Sequence, residues 1–462
     1  MRLLSLSFGF LLAGCLPQVV ELTGHRPTSI PAVPLDTDTT FVPTELLPQF
    51  DGAPPQNVLM ISIDTWRRDH FDPYGDGTEY TPFLASLAAE GLRLDDHVSC
   101  SNWTYPAVTC TILGMYNLDN DFLPKIAQDY REPVPSGTRF LAGYLVEPGY
   151  YNLLVSANSW LGQSYNNAAG YHDSRPPNVQ NTKLLLEKGV ERLEAAVDPA
   201  TDPWFLHVHL MEPHVAYKPP EEYLTELEGL APLWFDPTEN EQHYDATKDW
   251  PDMTPEQRDL LETHLRIRYR AELRYMDDQI EEVFSDLDDK GLLDNTLVVF
   301  WTDHGESFWE HGHQSHAWTL HRQENDAIAF FWSKNIVQNA WTYPTVSIDI
   351  APTVLSILDI NVPETMTGFR VGQAPPNRAR FAYVVGRTDP AQSVRFNDWK
   401  MIFNWTGVIE LYDLFTDPEE LNNVYAPDHP MAQPLWDKLK PRVEKAVPLV
   451  PEETISWPPG LD

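Results

Sequence analysis

Two nearly continuous apolar runs, each stopped by an aspartate, constrain the fold of this 462-residue chain more than any other feature. Val58-Leu59-Met60-Ile61-Ser62-Ile63 ends at Asp64, and Thr296-Leu297-Val298-Val299-Phe300-Trp301-Thr302 ends at Asp303-His304-Gly305. A strand that stays apolar on successive residues has both faces covered, which is the environment of a parallel sheet between helices. A similar run lies near Pro203-Trp204-Phe205-Leu206-His207-Val208-His209. Helical stretches intervene at 81–90 and around 266–287, where Leu273, Met276, Ile280, Val283 and Leu287 recur at three- and four-residue spacing. The expectation is an α/β fold with a doubly wound, mostly parallel sheet over residues 56–375. From about Phe381 short strands with turn-like breaks follow, at 381–385, 393–397, 399–404 and 408–412, and then a helix near 434–447. Residues 376–462 are therefore expected to form a smaller C-terminal subdomain of antiparallel β plus a helix.

Open parallel sheets bind ligands at the carboxyl ends of their strands. Asp64 and Asp303-His304, far apart in sequence, each close a buried strand and can meet at one sheet edge. Two carboxylates and an imidazole there suit a hard-to-borderline divalent cation. One such aspartate alone reads equally well as the cap of the next helix. The joint pattern favours a metal.

Composition bears on partners and location. With 68 Asp and Glu against 32 Lys and Arg, the net charge of −36 argues against a nucleic-acid or anionic-lipid footprint. Residues 1–15 read as a secretory signal: Arg2 precedes a short apolar run ending in Leu12-Ala13-Gly14-Cys15, too short to span a bilayer. That ending resembles a bacterial lipobox, so a lipid on Cys15 and a periplasmic or cell-surface lipoprotein are expected, an ordinary signal peptide being the plainer reading. No other stretch reads as a transmembrane helix. Residues 16–55, with eight prolines, read as an extended tether. In an exported protein Cys100 and Cys110 can pair, or remain two buried thiols; sequence leaves both open.

Taken together, several blocks resemble the sulfatase family of the alkaline phosphatase-like superfamily. They are Asn57 to Asp64 with Thr65, Arg67, Asp69 and His70, then Tyr74-Gly75 and Thr81-Pro82-x-Leu84; Leu206-x-x-His209-x-Met211-Glu212-Pro213-His214; Thr296 to Glu306; Val346 to Thr353; and Glu410-Leu411-Tyr412-Asp413-Leu414-x-x-Asp417-Pro418-x-Glu420. They follow the family's order from about 56 to 425. The resemblance implies a metal-dependent ester hydrolase whose nucleophile follows the second strand. Sulfatases place there a Cys-x-Pro-x-Arg motif whose Cys becomes formylglycine. Here Thr104-Tyr105-Pro106-Ala107-Val108 stands in its place, with Thr104 at the Cys position and Val108 at the Arg position.

A threonine hydroxyl activated by a divalent ion can still attack phosphorus or sulfur. Threonine nucleophiles occur in relatives such as nucleotide pyrophosphatases and envelope phosphotransferases. The resemblance assigns the metal to Asp64, Asp303, His304 and Thr104, and catalytic roles to His209, His214 and His316. One of His311, His313 and His316 is expected to act, with His313 a candidate substrate contact. Arg67 either binds an ester oxygen or forms a salt bridge. One ion is expected, manganese, zinc, calcium or magnesium, since a second needs Glu212 joined by His209, His214 or His316. The expected substrate is a sulfate or phosphate ester of a small molecule or glycan. The alternatives are a phosphodiesterase or phosphonate hydrolase, an envelope transferase, and a non-catalytic lipid-anchored glycan-binding protein.

Overall fold

The computed structural model describes residues 48–75, 79–123, 132–387, 389–450, 455–458 and 460–461, so Cys15, the signal segment and most of the tether lie outside them. The described residues belong to one compact unit. The strands are β1 (Asn57–Ile63), β2 (Leu92–Val98), β3 (Tyr151–Ser156), β4 (Trp204–Leu210), β5 (Thr296–Thr302), β6 (Ser307–Phe308), β7 (Gln314–Ser315), β8 (Ala329–Trp332), β9 (Asn339–Val346), β10 (Arg380–Val384), β11 (Ala391–Phe396), β12 (Trp399–Asn404) and β13 (Ile409–Asp413).

Seven of them form the main sheet in the order β3-β4-β1-β5-β8-β2-β9. All its pairs are parallel except those of β8, which runs against both β5 and β2. The expected α/β sheet is therefore present, with one reversed strand that no period in the sequence marks. Successive residues of β1 enter opposite layers. Val58 and Met60 pack with the helices Thr104–Leu113 and Ile350–Ile357, while Leu59, Ile61 and Ile63 pack against the helix Pro255–Asp289. Each such side chain, withdrawn fully from water, contributes about 1.5–3 kcal/mol before entropy is counted.

The helix Pro255–Asp289 starts well before the expected position, because its first turns are polar and the apolar stripe begins only at Leu261. Its start is fixed by a capping box: Gln257 N–H donates to Thr254 Oγ1 and Thr254 N–H to the Gln257 side chain. Farther along, Asp277 accepts from the backbone N–H groups of Phe83 and Leu84, capping the helix Pro82–Glu90 from a neighbouring element.

The C-terminal subdomain is an antiparallel meander, β10-β11-β12-β13, closed by the helix Ala432–Ala446, whose Leu435, Trp436, Leu439 and Val443 bury against Val394, Met401 and Phe403. Its elements fall within about two residues of their expected places. At the other end, residues 48–55 of the expected tether lie against the main unit: Phe50 bridges Ile336, and Asp51 N–H donates to Asn335 O at 2.7 Å. No helix among the described residues is long and apolar enough to cross a membrane.

Candidate active site

Strand register explains why distant residues converge. In β1, Ser62 lies opposite His209 of β4 and Ile63 opposite Thr302 of β5, so Asp64 and Asp303 emerge side by side at the carboxyl edge. Ser156 of β3 pairs with His209, which brings Asn158 to the same edge. The nucleophile candidate arrives differently: Thr104 is the first residue of the helix Thr104–Leu113, presented by the loop after β2. A disulfide between Cys100 and Cys110, with Cα atoms 6.8 Å apart, ties that loop to the helix and resolves the pairing left open above. Val108, which stands where the family has arginine, is buried in the apolar layer and reaches no polar group.

All four expected ligands are fully or almost fully buried and meet at one point. Thr104 Oγ1 donates to Asp64 Oδ2 at 3.4 Å and lies 3.5 Å from His304 Nε2. His304 Nε2 in turn stands 3.4 Å from Asp64 Oδ1 and 3.5 Å from Asp303 Oδ2. His304 Nδ1–H donates to Gly305 O at 2.9 Å, which leaves the Nε2 lone pair facing the carboxylates. His209 joins them. Its Nε2 is 3.3 Å from Asp64 Oδ2 while Ser62 Oγ holds Nδ1 at 2.8 Å, so it belongs to the carboxylate cluster rather than to the imidazole pair expected to face the leaving group. Ligand atoms of Asp64, His209 and Asp303 lie within 4.8 Å of one another.

The donor set fits a cation by a direct test. Asp64 Oδ1 and Asp303 Oδ2 are buried and accept no hydrogen bond, a costly state for carboxylate oxygens unless a positive charge answers them. Burial, and then the Asp64 charge, push the Asp303 carboxyl well above the carboxylate range. Burial would raise Asp64 too, yet His214, His209 and His304 hold it well below. Burial, with His316 beside it, drives the His304 pKa down to about 3, so this imidazole is neutral and can ligate. Glu212, the carboxylate that a second ion was expected to need, is engaged elsewhere: its Oε2 accepts from Thr182 N–H at 2.9 Å and from Gln279 Nε2 at 3.2 Å.

His316 and His214 form the next wall. The His316 ring centroid is 4.5 Å from that of His304 and 5.2 Å from that of His214. Glu306 Oε1 lies 3.1 Å from His316 Nδ1, and Tyr217 donates to the other Glu306 oxygen at 3.2 Å. Burial pushes the Glu306 carboxyl up to about 8, partly offset by His214.

The two expected substrate contacts, Arg67 and His313, both have partners within the protein. Arg67 is buried and committed: Nε and Nη2 donate to Asp69, and Nη1 to Glu306 O and Glu310, so it braces the loop after β1 and forms the salt bridge left open as its other reading. His313 stacks on Trp318 with centroids 4.7 Å apart, and His311 stacks on His321 at 3.6 Å, so both are held by neighbouring rings. Asn158 was not anticipated. Its Nδ2 donates to Asp64 Oδ2 at 3.0 Å and to Thr104 Oγ1 at 3.4 Å. The signal existed, since Asn158 follows the apolar run of β3 just as Asp64 follows β1.

Comparison with known proteins agrees with this geometry. A family model described as Sulfatase matches residues 56–360, and one described as N-sulphoglucosamine sulphohydrolase, C-terminal, matches 310–447. The chain is 22% identical to the "Uncharacterized sulfatase YidJ" of Escherichia coli, covering 80% of this chain and 82% of that protein. It is 21% identical to the N-acetylglucosamine-6-O-sulfatase of Bacteroides thetaiotaomicron, covering 82% and 84%. Among solved structures, a protein in complex with its substrate D-glucosamine-2-N,6-O-disulfate superposes with a TM-score of 0.68 at 18% identity, over 86% of this chain and 99% of that one. The phosphonate monoester hydrolase of Silicibacter pomeroyi gives 0.66 at 18% identity, over 85% and 95%. At such identity the superpositions speak for the fold, the family model speaks for descent, and together they make this chain a member of the sulfatase family, a sulfuric ester hydrolase of alkaline phosphatase-like fold.

Proposed function

We propose that this protein cleaves a sulfate or phosphate monoester with Thr104 as nucleophile. The observation that carries the reading is the Thr104 hydroxyl at 3.4 Å from Asp64 and 3.5 Å from His304, at the start of a helix whose dipole favours an anion. Asp64, Asp303, His304 and His209 would hold one divalent ion, which supplies positive charge against the developing oxygen charge. Thr104 Oγ1 attacks the sulfur or phosphorus in line as the bond to the leaving oxygen breaks, and its proton passes to solvent, because the Asp64 carboxylate is held too far down to keep it. His316, oriented by Glu306, or His214 beside it, gives a proton to that oxygen, so an alcohol departs. Water then attacks the threonyl ester and returns a proton to the imidazole that gave one up, the bond from sulfur or phosphorus to Oγ1 breaks, and Oγ1 takes a proton back from solvent as inorganic sulfate or phosphate leaves.

A phosphonate or phosphodiester substrate is the second reading, favoured by the likeness to the phosphonate monoester hydrolase and by threonine in place of the formylglycine-forming cysteine. For location, the lipobox-like Leu12-Ala13-Gly14-Cys15 supports an exported lipoprotein anchored through Cys15; Cys15→Ala should release the protein from the membrane fraction.

Purified protein assayed on nitrophenyl sulfate, phosphate and bis-phosphate esters across manganese, zinc, calcium and magnesium tests the activity and sorts the readings. Thr104→Ala is expected to lower kcat by at least about two orders of magnitude in a folded protein. Turnover of none of the esters with any ion, or wild-type turnover by Thr104→Ala, would overturn the proposal, and the first result would favour a non-catalytic glycan-binding protein.

A further inference from the structure

Several arginines of this protein are committed to carboxylates, and Arg387 is not. Arg67, Arg378, Arg380 and Arg395 are each ion-paired with a carboxylate. Arg387 is exposed, and among the described residues no carboxylate lies within ion-pair distance of it, in a chain of net charge −36. Its guanidinium sits 5.3 Å from the Trp318 ring centroid and 5.7 Å from that of Tyr244. Tyr244 is also a side-chain hydrogen-bond partner of Arg387, so the two aromatic residues hold the planar cation in place while its other N–H groups can still reach a ligand.

Its placement is fixed relative to the reacting centre. Arg387 follows β10, and its backbone N–H donates to Ala317 O at 3.1 Å, directly beyond His316. Gly386 makes that approach possible, because a Cβ there would stand 2.5 Å from Ala317 O. The Arg387 charge is felt at both His316 and Glu306. Contact by contact, Thr104 leads to His304, His304 to His316, and the Ala317 backbone next to His316 leads to Arg387.

We propose that Arg387, steadied by Tyr244 and Trp318, is a binding site for a second anionic group on the substrate, a sulfate, carboxylate or phosphate other than the one cleaved. The preferred substrate is then a polyanionic ester rather than a simple one. This rests on the reading of Thr104 and its neighbours as the place where the scissile group binds. His316 stands between that place and Arg387, so one small anion does not occupy both.

The test uses non-hydrolysable probes with the full chain in manganese: alkane disulfonates with about two to six carbons between the charged ends, against monosulfonates of equal length, titrated by calorimetry. At least one disulfonate is expected to bind about tenfold or more tightly than its monosulfonate, an advantage that Arg387→Ala abolishes and Arg387→Lys keeps in part. Equal binding of mono- and disulfonates at every length, or an advantage that survives Arg387→Ala, overturns the proposal. So does an Arg387→Ala variant that weakens both series alike, which would place Arg387 on the scissile group. Failure of the hydrolase reading shows separately, as no turnover of the nitrophenyl esters.

Discussion

Asp64 and Asp303 are neighbours in space whose carboxyls are shifted in opposite directions, one held down by histidines and the other pushed up by burial and by its partner. Asp303→Ala should therefore abolish metal-dependent stabilisation and lower kcat by at least about a hundredfold, measured as the metal-induced Tm shift and as ester turnover. Arg67 makes the contrasting case. Arg67→Ala leaves Asp69 and Glu310 without their buried partner, so a loss of about 3 kcal/mol is expected in urea unfolding. KM for a nitrophenyl ester should stay within about twofold, because the guanidinium faces carboxylates and not the site. A buried histidine away from the site gives a pH signature. Burial, helped by Arg68 and Arg380, drives the His97 pKa down to about 3, so between there and its ordinary 6.5 the unfolded chain takes up a proton that the folded one refuses. The stability tied to His97 is complete above pH 6.5 and lost as pH falls toward 3. Wild type should lose on the order of 3 kcal/mol relative to His97→Gln between pH 7 and 4, read from paired urea curves.

At the scale of elements, the strand ends build the site and the disulfide positions what they lack. Cys100–Cys110 closes a short loop around Thr104, whose own strand, β2, reaches the sheet only between β8 and β9. Replacing both cysteines by alanine should cost about 2–3 kcal/mol from the unfolded-state term. Turnover should fall while the overall circular dichroism is kept, since the loss concerns the loop and helix start that present Thr104. Much of this level was legible beforehand. Apolar runs located β1, β4 and β5, and a polar residue marked the edge after β1 and β5, while in β4 His209 lies one residue before the end. The reversed β8 was not legible, because four apolar residues carry no direction. Nor was the early start of the helix Pro255–Asp289, whose first turns lack the apolar period and announce themselves only through Thr254 and Gln257.

For the whole molecule, net charge opposes the ligand that the site is built to take. A charge of −36 repels anionic substrates at long range, and salt screens that repulsion beyond about 10 Å at 0.1 M. From low to moderate sodium chloride, kcat/KM should rise for anionic esters, and more for a dianion than for a monoanion. A fall with salt would mean that the local field at the mouth of the site outweighs the global one.

What the sequence determined by itself is the sheet, the family and the edge where chemistry gathers. These depend on periodicity and on residue types at strand ends, which are local properties. The tertiary structure decided which side chains face one another past those ends. His209 joined the carboxylates, Arg67 turned to Asp69 and Glu310, Asn158 reached Asp64, and the Arg387 backbone met that of Ala317. Beyond the last hydrogen-bonded residue of a strand, side-chain direction is set by loops packed from distant parts of the chain, and no spacing within one segment encodes it.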